Sequence, residues 1–198
     1  MSTDNSRDDN IEKERTKQRV VIIPGMGCSA RHSHWYYWLT CELAKIDNGQ
    51  KYLCILEDMP DPAECKESIW IPFIKNELKV DENTIIIGHS SGSNACMRLI
   101  ENTRVKGVIL VATSYTDLGS EGEKNTGYFN RPWNWELMRS NADWIVQLHS
   151  VSDHLIPVNE GRYVAQHLKT EYIEHARMGH YMVKQFPELA SIIEKKCK

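Results

Sequence analysis

The sequence predicts an α/β protein, a three-layer α/β/α sandwich around a mostly parallel sheet. Three observations support this fold. Apolar, β-branched runs alternate along the chain with segments of helical spacing, the length of 198 residues fits one domain with a sizeable core, and a G-x-S-x-G turn joins one such run to the next helical segment. We therefore expect one compact domain over residues 19–198, without a large cap, after a polar tail over residues 1–18 that is predicted to be disordered.

Two strands and two helical segments are predicted before the strand that leads into that turn. Arg19–Pro24 and Tyr52–Leu56 are short apolar runs typical of buried strands. Ser33–Ile46 carries apolar side chains along one helical face. Asp61–Leu78 also has helical spacing, and we expect Pro72 to divide it into two pieces because proline removes a backbone donor.

The turn over residues 88–92, Gly-His-Ser-Ser-Gly, is the strongest functional signal. Thr84–Ile87 before it is a β-branched strand, and Ser93–Ile100 after it has a helical apolar face. In this setting the pattern indicates a nucleophile elbow, which presents the Ser90 hydroxyl at the carboxyl end of the sheet. So sharp a turn needs small neighbours, and we expect Gly88 and Gly92 to supply positive φ values that side chains resist.

Three strands and two helices are predicted after the turn. The strands are Val105–Val111, Trp144–His149 and Glu171–His175, and the helices are Val158–Leu168 and Phe186–Ile193.

The stretch from Ala112 to Asp143 shows no strong periodicity and is rich in Gly, Asn, Thr and aromatic residues. Loops of this length inside a compact domain are usually functional. Trp133 and Trp135 either cover the site or pack this segment onto the sheet.

Ser90 predicts two partners further along the chain, because a serine nucleophile needs a general base and the base needs a group that fixes its tautomer. In elbow-type hydrolases these groups follow in the order Ser, Asp or Glu, His, each just after a strand. Asp153 is the acid candidate, with a solvated loop aspartate or a helix N-cap as the alternative and Asp117 as the fallback. His180, beside Gly179, is the base candidate, and an exposed loop histidine is the alternative.

An oxyanion needs two backbone N–H donors. The N–H of Ser91, directly after the serine, is one candidate, and the loop Pro24–Cys28 supplies the other, for which we favour Met26. A tight turn or a phosphate cradle are the alternatives for this loop, but it matches neither the G-x-G-x-x-G nor the P-loop pattern. The predicted site therefore needs no cofactor.

Composition and charge exclude several other functions. A net charge of -3 without a basic cluster argues against nucleic-acid binding, and no apolar run reaches membrane-spanning length. No His, Cys or Asp spacing fits a metal site. Six scattered cysteines, in a chain whose polar start is no signal peptide, are expected to be reduced thiols, which favours a cytoplasmic or nuclear location.

Several long and unusual stretches carry a family resemblance. They read IPG at residues 23–25, DMPDP at 58–62, ESIWIPF at 67–73, TIIIGHSSG at 84–92, GYF at 127–129 and RPWNWE at 131–136. Through them the chain, over Arg19 to Ile193, resembles the retinoblastoma-binding protein 9 family of small serine hydrolases in the α/β-hydrolase superfamily. The resemblance implies a triad on Ser90, Asp153 and His180, and hydrolysis of small esters or amides, amino-acid derivatives among them.

One segment departs from the family pattern. The family is named for an L-x-C-x-E segment that engages retinoblastoma-type pocket proteins, whereas residues 78–82 here read Leu-Lys-Val-Asp-Glu, with Val80 in place of the cysteine. We also expect this segment to be partly hidden, since it ends a helix just before a buried strand. Both points argue against binding of a pocket protein.

The leading hypothesis is therefore a serine hydrolase that forms an acyl-enzyme on Ser90. One alternative is a protein-interaction module on a hydrolase scaffold, which would bind a retinoblastoma-type partner through residues 78–82. Another is thioesterase or transferase chemistry at the same elbow. The complete Ser-Asp-His set favours the hydrolase.

Overall fold

The computed structural model describes residues 17–198, and within them a six-stranded sheet has the order β2-β1-β3-β4-β5-β6. The strands are β1 (Gln18–Ile23), β2 (Tyr52–Ile55), β3 (Thr84–His89), β4 (Val105–Val111), β5 (Ala142–Ser150) and β6 (Glu171–His175). Every neighbouring pair is parallel. The carboxyl ends of the strands therefore meet at one rim of the sheet.

Helices cover both faces of this sheet. They are α1 (Tyr36–Leu43), α2 (Glu67–Asn76), α3 (Ser91–Ile100), α4 (Glu121–Asn125), α5 (Trp135–Ser140), α6 (Val158–Leu168) and α7 (Pro187–Lys196), with a 3-10 turn at Ile46–Gly49. Val20 and Ile22 of β1 pack with α1 and α7, whereas Val21 and Ile23 pack with α2, α3, α5 and α6. Alternate side chains of one strand thus reach opposite faces, and the predicted three-layer α/β/α sandwich is confirmed.

The start of the domain differs slightly from the prediction. Of the predicted tail over residues 1–18, residues 1–16 lie outside the described residues. Gln18 is already part of β1. It pairs with Tyr52 of β2, and its side-chain amide donates to the carbonyl of Asn83 over 2.6 Å. Gln18 therefore belongs to the sheet, while β4, α6 and β6 have the predicted bounds.

Both helices predicted before the elbow are shorter than expected. His34 has φ +49°, outside the helical region, so α1 begins at Tyr36 rather than at Ser33. The prediction of a helix in two pieces over Asp61–Leu78 is wrong. Positive φ at Asp61 and Cys65 delays the start, and one helix, α2, then runs through Pro72. The fully buried Trp70 and Ile74 hold α2 in place despite the backbone hydrogen bond that Pro72 cannot donate.

The segment between Ala112 and Asp143, predicted as irregular, contains the short helices α4 and α5. Each has a side-chain N-cap: the Ser120 hydroxyl accepts from the N–H of Glu123, and the Asn134 amide oxygen accepts from that of Leu137. Helices this short carry little sequence periodicity, which is why the pattern did not predict them.

Arg98, on α3, fastens this segment to the rest of the domain. Its side chain is fully buried and lies 2.6 Å from the carboxylate of Glu101. Its guanidinium donates to three main-chain carbonyls, those of Tyr128, Arg131 and Pro132. It also lies 3.7 Å from the centroid of the Trp133 ring. A buried, fully bonded cation thus organises the loop.

No helix in the described part of the chain combines the length and apolarity needed to cross a lipid bilayer.

Candidate active site

Ser90 occupies the tight turn between β3 and α3. Its backbone has φ 55° and ψ −124°, a conformation that side chains rarely adopt, and strain of this kind costs about 1–3 kcal/mol. Such strain persists only where the surrounding structure imposes it, and it is concentrated at functional positions. The backbone geometry is that expected of a nucleophile elbow.

The two glycines of the turn have a different role from the one predicted. Neither Gly88 nor Gly92 has positive φ, so the expectation that they supply it is wrong, and Ser90 itself takes the unusual conformation. They are required by close contact instead. A Cβ on Gly88 would lie 2.4 Å from the carbonyl oxygen of Gly92, and one on Gly92 would lie 2.3 Å from that of Ile23. The expectation of small neighbours is therefore confirmed.

His180 and Asp153 are hydrogen-bonded to each other at the carboxyl rim of the sheet. The Nδ1 atom of His180 lies 2.9 Å from Oδ2 and 3.1 Å from Oδ1 of Asp153. Since an ionised carboxylate only accepts, Nδ1 carries the proton, and Nε2 keeps its lone pair. Asp153 follows β5, as predicted, and His180 follows β6 beside Gly179, whose φ is +54°.

The surroundings of Asp153 keep it ionised. Burial acts to raise its pKa, but hydrogen bonds from His180 and from the backbone N–H groups of Ile156 and Leu155 outweigh it, so the pKa is lowered. The two backbone bonds measure 3.0 Å and 2.9 Å. The carboxylate is therefore charged at neutral pH and available to stabilise an imidazolium.

A cavity of about 470 Å³ opens at this rim, and both Ser90 and His180 line it. Met26 and Cys28 of the loop after β1 also line it, as do residues that the sequence did not predict: His34, His89, Leu118, Ser120, Glu123, Leu155, Ile156 and Met182. Three of these lie in the aperiodic segment 112–143, whose length was the available signal. Of the others, His89 is the last residue of β3 and part of the motif, whereas His34, Leu155, Ile156 and Met182 lie in loops and carry no local pattern.

The backbone N–H groups of Met26 and Ser91 are free to bind a ligand. Among the described residues, none accepts a hydrogen bond from either group. Gly25 brings the Met26 loop against the elbow, because a Cβ built on Gly25 would lie 3.2 Å from Cβ of Ser90. Two unpaired donors thus flank the serine, which is the requirement for an oxyanion hole.

Several Trp and Tyr residues of the described chain do not line this cavity. Trp35 and Tyr36 are fully buried in the core. Neither Trp133 nor Trp135 is among the cavity-lining residues of the described chain. The indole of Trp133 donates to the Tyr115 carbonyl over 2.8 Å, and its ring lies against Arg98 of α3, so Trp133 packs the segment onto the domain, as the structural alternative predicted.

The fallback acid, Asp117, has another local partner. Its carboxylate accepts from the N–H of Gly119 over 2.9 Å, within its own turn. Of the two candidates, Asp153 is the one bonded to His180.

Residues 78–82 are partly hidden, as expected, with Leu78 3% and Val80 6% exposed. The six cysteines are free thiols, also as expected. Within residues 17–198, no group of three or more His, Cys, Asp or Glu side chains is arranged to hold a metal ion.

Comparison with known proteins identifies the family. The sequence model described as "Serine hydrolase" matches residues 20–191. The chain belongs to this serine hydrolase family. The enzyme named serine hydrolase RBBP9, from Rattus norvegicus, is 41% identical to this serine hydrolase over 177 residues, which are 89% of this chain and 94% of that protein. The family resemblance read from the motifs is therefore confirmed.

Solved structures confirm the α/β-hydrolase fold of this serine hydrolase. The ydeN gene product of B. subtilis superposes with a TM-score of 0.79 at 21% identity, covering 91% of this chain and 98% of that one. The esterase RhEst1 of Rhodococcus sp. ECU1013 gives a TM-score of 0.66 at 17% identity, covering 91% and 90%. A large cap is absent from the described part of the chain.

Proposed function

We propose that this serine hydrolase cleaves small esters or amides through an acyl-enzyme on Ser90. The observation that carries the proposal is the His180–Asp153 hydrogen bond, which leaves Nε2 of His180 unprotonated in a cavity that both His180 and Ser90 line. A histidine held in this tautomer is suited to take the proton of a serine hydroxyl.

The mechanism follows from these positions. Ser90 Oγ attacks the substrate carbonyl while His180 Nε2 takes its proton, and Asp153 stabilises the imidazolium. The N–H groups of Met26 and Ser91 stabilise the oxyanion. Collapse of the tetrahedral intermediate breaks the bond to the leaving group, which receives the proton from His180. Water, deprotonated by His180, then releases the acid and restores Ser90.

A fluorophosphonate probe tests this nucleophile directly. We expect one probe adduct per chain, located by peptide mass spectrometry on the peptide that contains Ser90, because the probe phosphonylates only an activated serine. Ser90→Ala should abolish the adduct, whereas Ser191→Ala, at an exposed serine of α7, should leave it unchanged. An adduct on Ser90→Ala of the same size and rate would overturn the assignment.

The cavity also supports a substrate class. Glu123 is the single carboxylate among its lining residues in the described chain, and they include no Lys or Arg. No described residue pairs with or donates to the Glu123 carboxylate, and burial raises its pKa while His180 acts to lower it. Leu118, Leu155 and Met182 give the cavity mouth an apolar rim. An ammonium group next to an apolar side chain fits this surface, which supports amino-acid esters or amides as substrates.

Glu123→Gln should therefore weaken hydrolysis selectively. We expect kcat/KM to fall on the order of 10- to 100-fold for an aminoacyl ester with a free amine, the range that a charge-assisted hydrogen bond provides. The N-acetylated ester should be hydrolysed as well as before. Glu121→Gln, on the same helix and paired with Lys124 outside the cavity, is the matched control. An equal loss for both esters would contradict the substrate assignment.

The remaining alternatives have weaker support. Burial of Leu78 and Val80 weighs against docking of a pocket protein through residues 78–82.

Six free thiols support a reducing compartment, and we propose the cytoplasm.

A further inference from the structure

A chain of three hydrogen bonds crosses the floor of the candidate active site. The N–H of Gly25 donates to the Tyr36 hydroxyl over 3.1 Å, that hydroxyl lies 2.6 Å from Nδ1 of His89, and Nε2 of His89 lies 2.9 Å from the backbone carbonyl oxygen of His180. Tyr36 is fully buried and His89 is 1% exposed. Water therefore cannot supply hydrogen bonds to these two side chains in place of the ones they form with each other and with the backbone.

The direction of each bond is determined by the groups at its ends. The His180 carbonyl can only accept, so Nε2 of His89 carries the proton. Burial and the neighbouring His180 lower the pKa of His89 to about 3, so its ring is neutral and Nδ1 is an acceptor. Tyr36 consequently donates its hydroxyl proton to Nδ1 and accepts from Gly25. All three hydrogen bonds therefore point the same way, from Gly25 to His180, and Tyr36 and His89 each accept one bond and donate another.

The ends of this chain are the parts of the site that must be aligned. Gly25 precedes Met26, the proposed oxyanion donor, and His180 is the proposed base. His89 directly precedes Ser90, and its ring lies 5.0 Å from that of His180, centroid to centroid. Gly25 and His180 lie in the loops after β1 and β6, and His89 is the last residue of β3.

We propose that Tyr36 and His89 are positioning residues that align the oxyanion loop with His180 around Ser90. Neither takes part in the chemistry; each acts through a backbone group, Gly25 N–H at one end and the His180 carbonyl at the other. The proposal rests on the proposed serine hydrolase mechanism. Donors aimed at the developing oxyanion act on the transition state and not on the bound ester, so a loosened chain should lower kcat more than it raises KM.

Tyr36→Phe breaks the middle of the chain while keeping the ring. We expect kcat to fall on the order of 10- to 100-fold with little change in KM, since misplacement of a reacting group by about 1 Å has an effect of that size. Affinity for a trifluoromethyl ketone, which mimics the tetrahedral intermediate, should fall by the same factor. Tyr128→Phe is the matched control, because the Tyr128 hydroxyl is fully buried and has no hydrogen-bond partner within residues 17–198.

Two substitutions of His89 separate the arms of the chain. Glutamine places an amide near the position of Nε2 and so keeps the bond to His180, whereas asparagine mimics Nδ1 and keeps the bond to Tyr36. His89→Gln should therefore reproduce the kinetics of Tyr36→Phe, and Tyr36→Phe combined with His89→Gln should be no worse than either alone. His89→Asn keeps the bond to Tyr36 but loses the bond to the His180 carbonyl, so it should also lower kcat with little change in KM. If Tyr36→Phe does not fold, as judged by circular dichroism, His89→Gln carries the test.

Fluorophosphonate labelling keeps this proposal distinct from the mechanism on which it rests. Wild type that is not labelled at Ser90 would remove the proposed mechanism. Wild type labelled at Ser90, together with folded Tyr36→Phe or His89→Gln whose kcat equals that of Tyr128→Phe, would overturn the positioning role alone. A loss confined to KM would overturn it as well.

Discussion

Ser90→Ala should reduce kcat for ester hydrolysis on the order of 10⁶-fold, the loss seen when a serine nucleophile is removed from a set that acts as a unit. The proposed oxyanion donors are backbone groups and remain in place, so a weak residual activity above that of water is expected. Alanine fits the Ser90 position without new contacts, so the loss should not come from unfolding. Initial rates with a small activated ester, and circular dichroism of the same sample, measure both quantities.

The double variant provides the sharper result. His180→Ala should cost about as much as Ser90→Ala, and the two together little more than either, because one proton transfer joins them. Ser191→Ala again serves as the control. Losses that multiply in the double variant would indicate that Ser90 and His180 act independently.

Arg98→Met should lower the free energy of unfolding by about 3–5 kcal/mol, the usual effect of removing one partner of a buried ion pair. The Glu101 side chain, 7% exposed, would lose the cation at 2.6 Å and keep only the longer contact with Arg131, at 3.4 Å. The three loop carbonyls that Arg98 serves would also lose their donor. Urea denaturation followed by tryptophan fluorescence measures this loss.

Arg104→Met is the matched control for Arg98. Arg104 and Asp143 form an ion pair in which both side chains are about half exposed, at 55% and 51%, so its removal should change stability by less than about 1 kcal/mol. Equal effects of the two substitutions would show that the buried network contributes no more than a surface pair. Arg98→Met should also weaken substrate binding, because the loop that Arg98 holds in place carries the cavity-lining residues Leu118, Ser120 and Glu123.

Local pattern was enough to predict the sheet and the tight turn that holds the proposed nucleophile. The β-branched run Thr84–Ile87, the turn after it and the order of Ser90, Asp153 and His180 are all legible in the chain, because each follows from short-range geometry or from where strands end. Contacts between residues that are far apart in the sequence leave no such local pattern. Tyr36 and His89 are 53 residues apart, and no local pattern connects them.

Sequence also shows which residues are small without showing why. Gly88 and Gly92 were expected to provide unusual backbone angles, yet they are needed because other backbone atoms approach them closely. The short helix around Glu123 has too few turns to display a period, so its contribution to the cavity could not be foreseen.

The backbone conformation of Ser90 has a consequence for where reactivity resides. A peptide cut out of the chain over residues 84–100 would relax at this position, since only the sheet and the crowded glycines hold it. The strain energy at Ser90, about 1–3 kcal/mol, is a fraction of the free energy of unfolding of a typical domain, about 5–15 kcal/mol. The reactivity proposed for Ser90 is therefore a property of the whole assembled domain, and it would be lost from any fragment that retained the motif but not the fold.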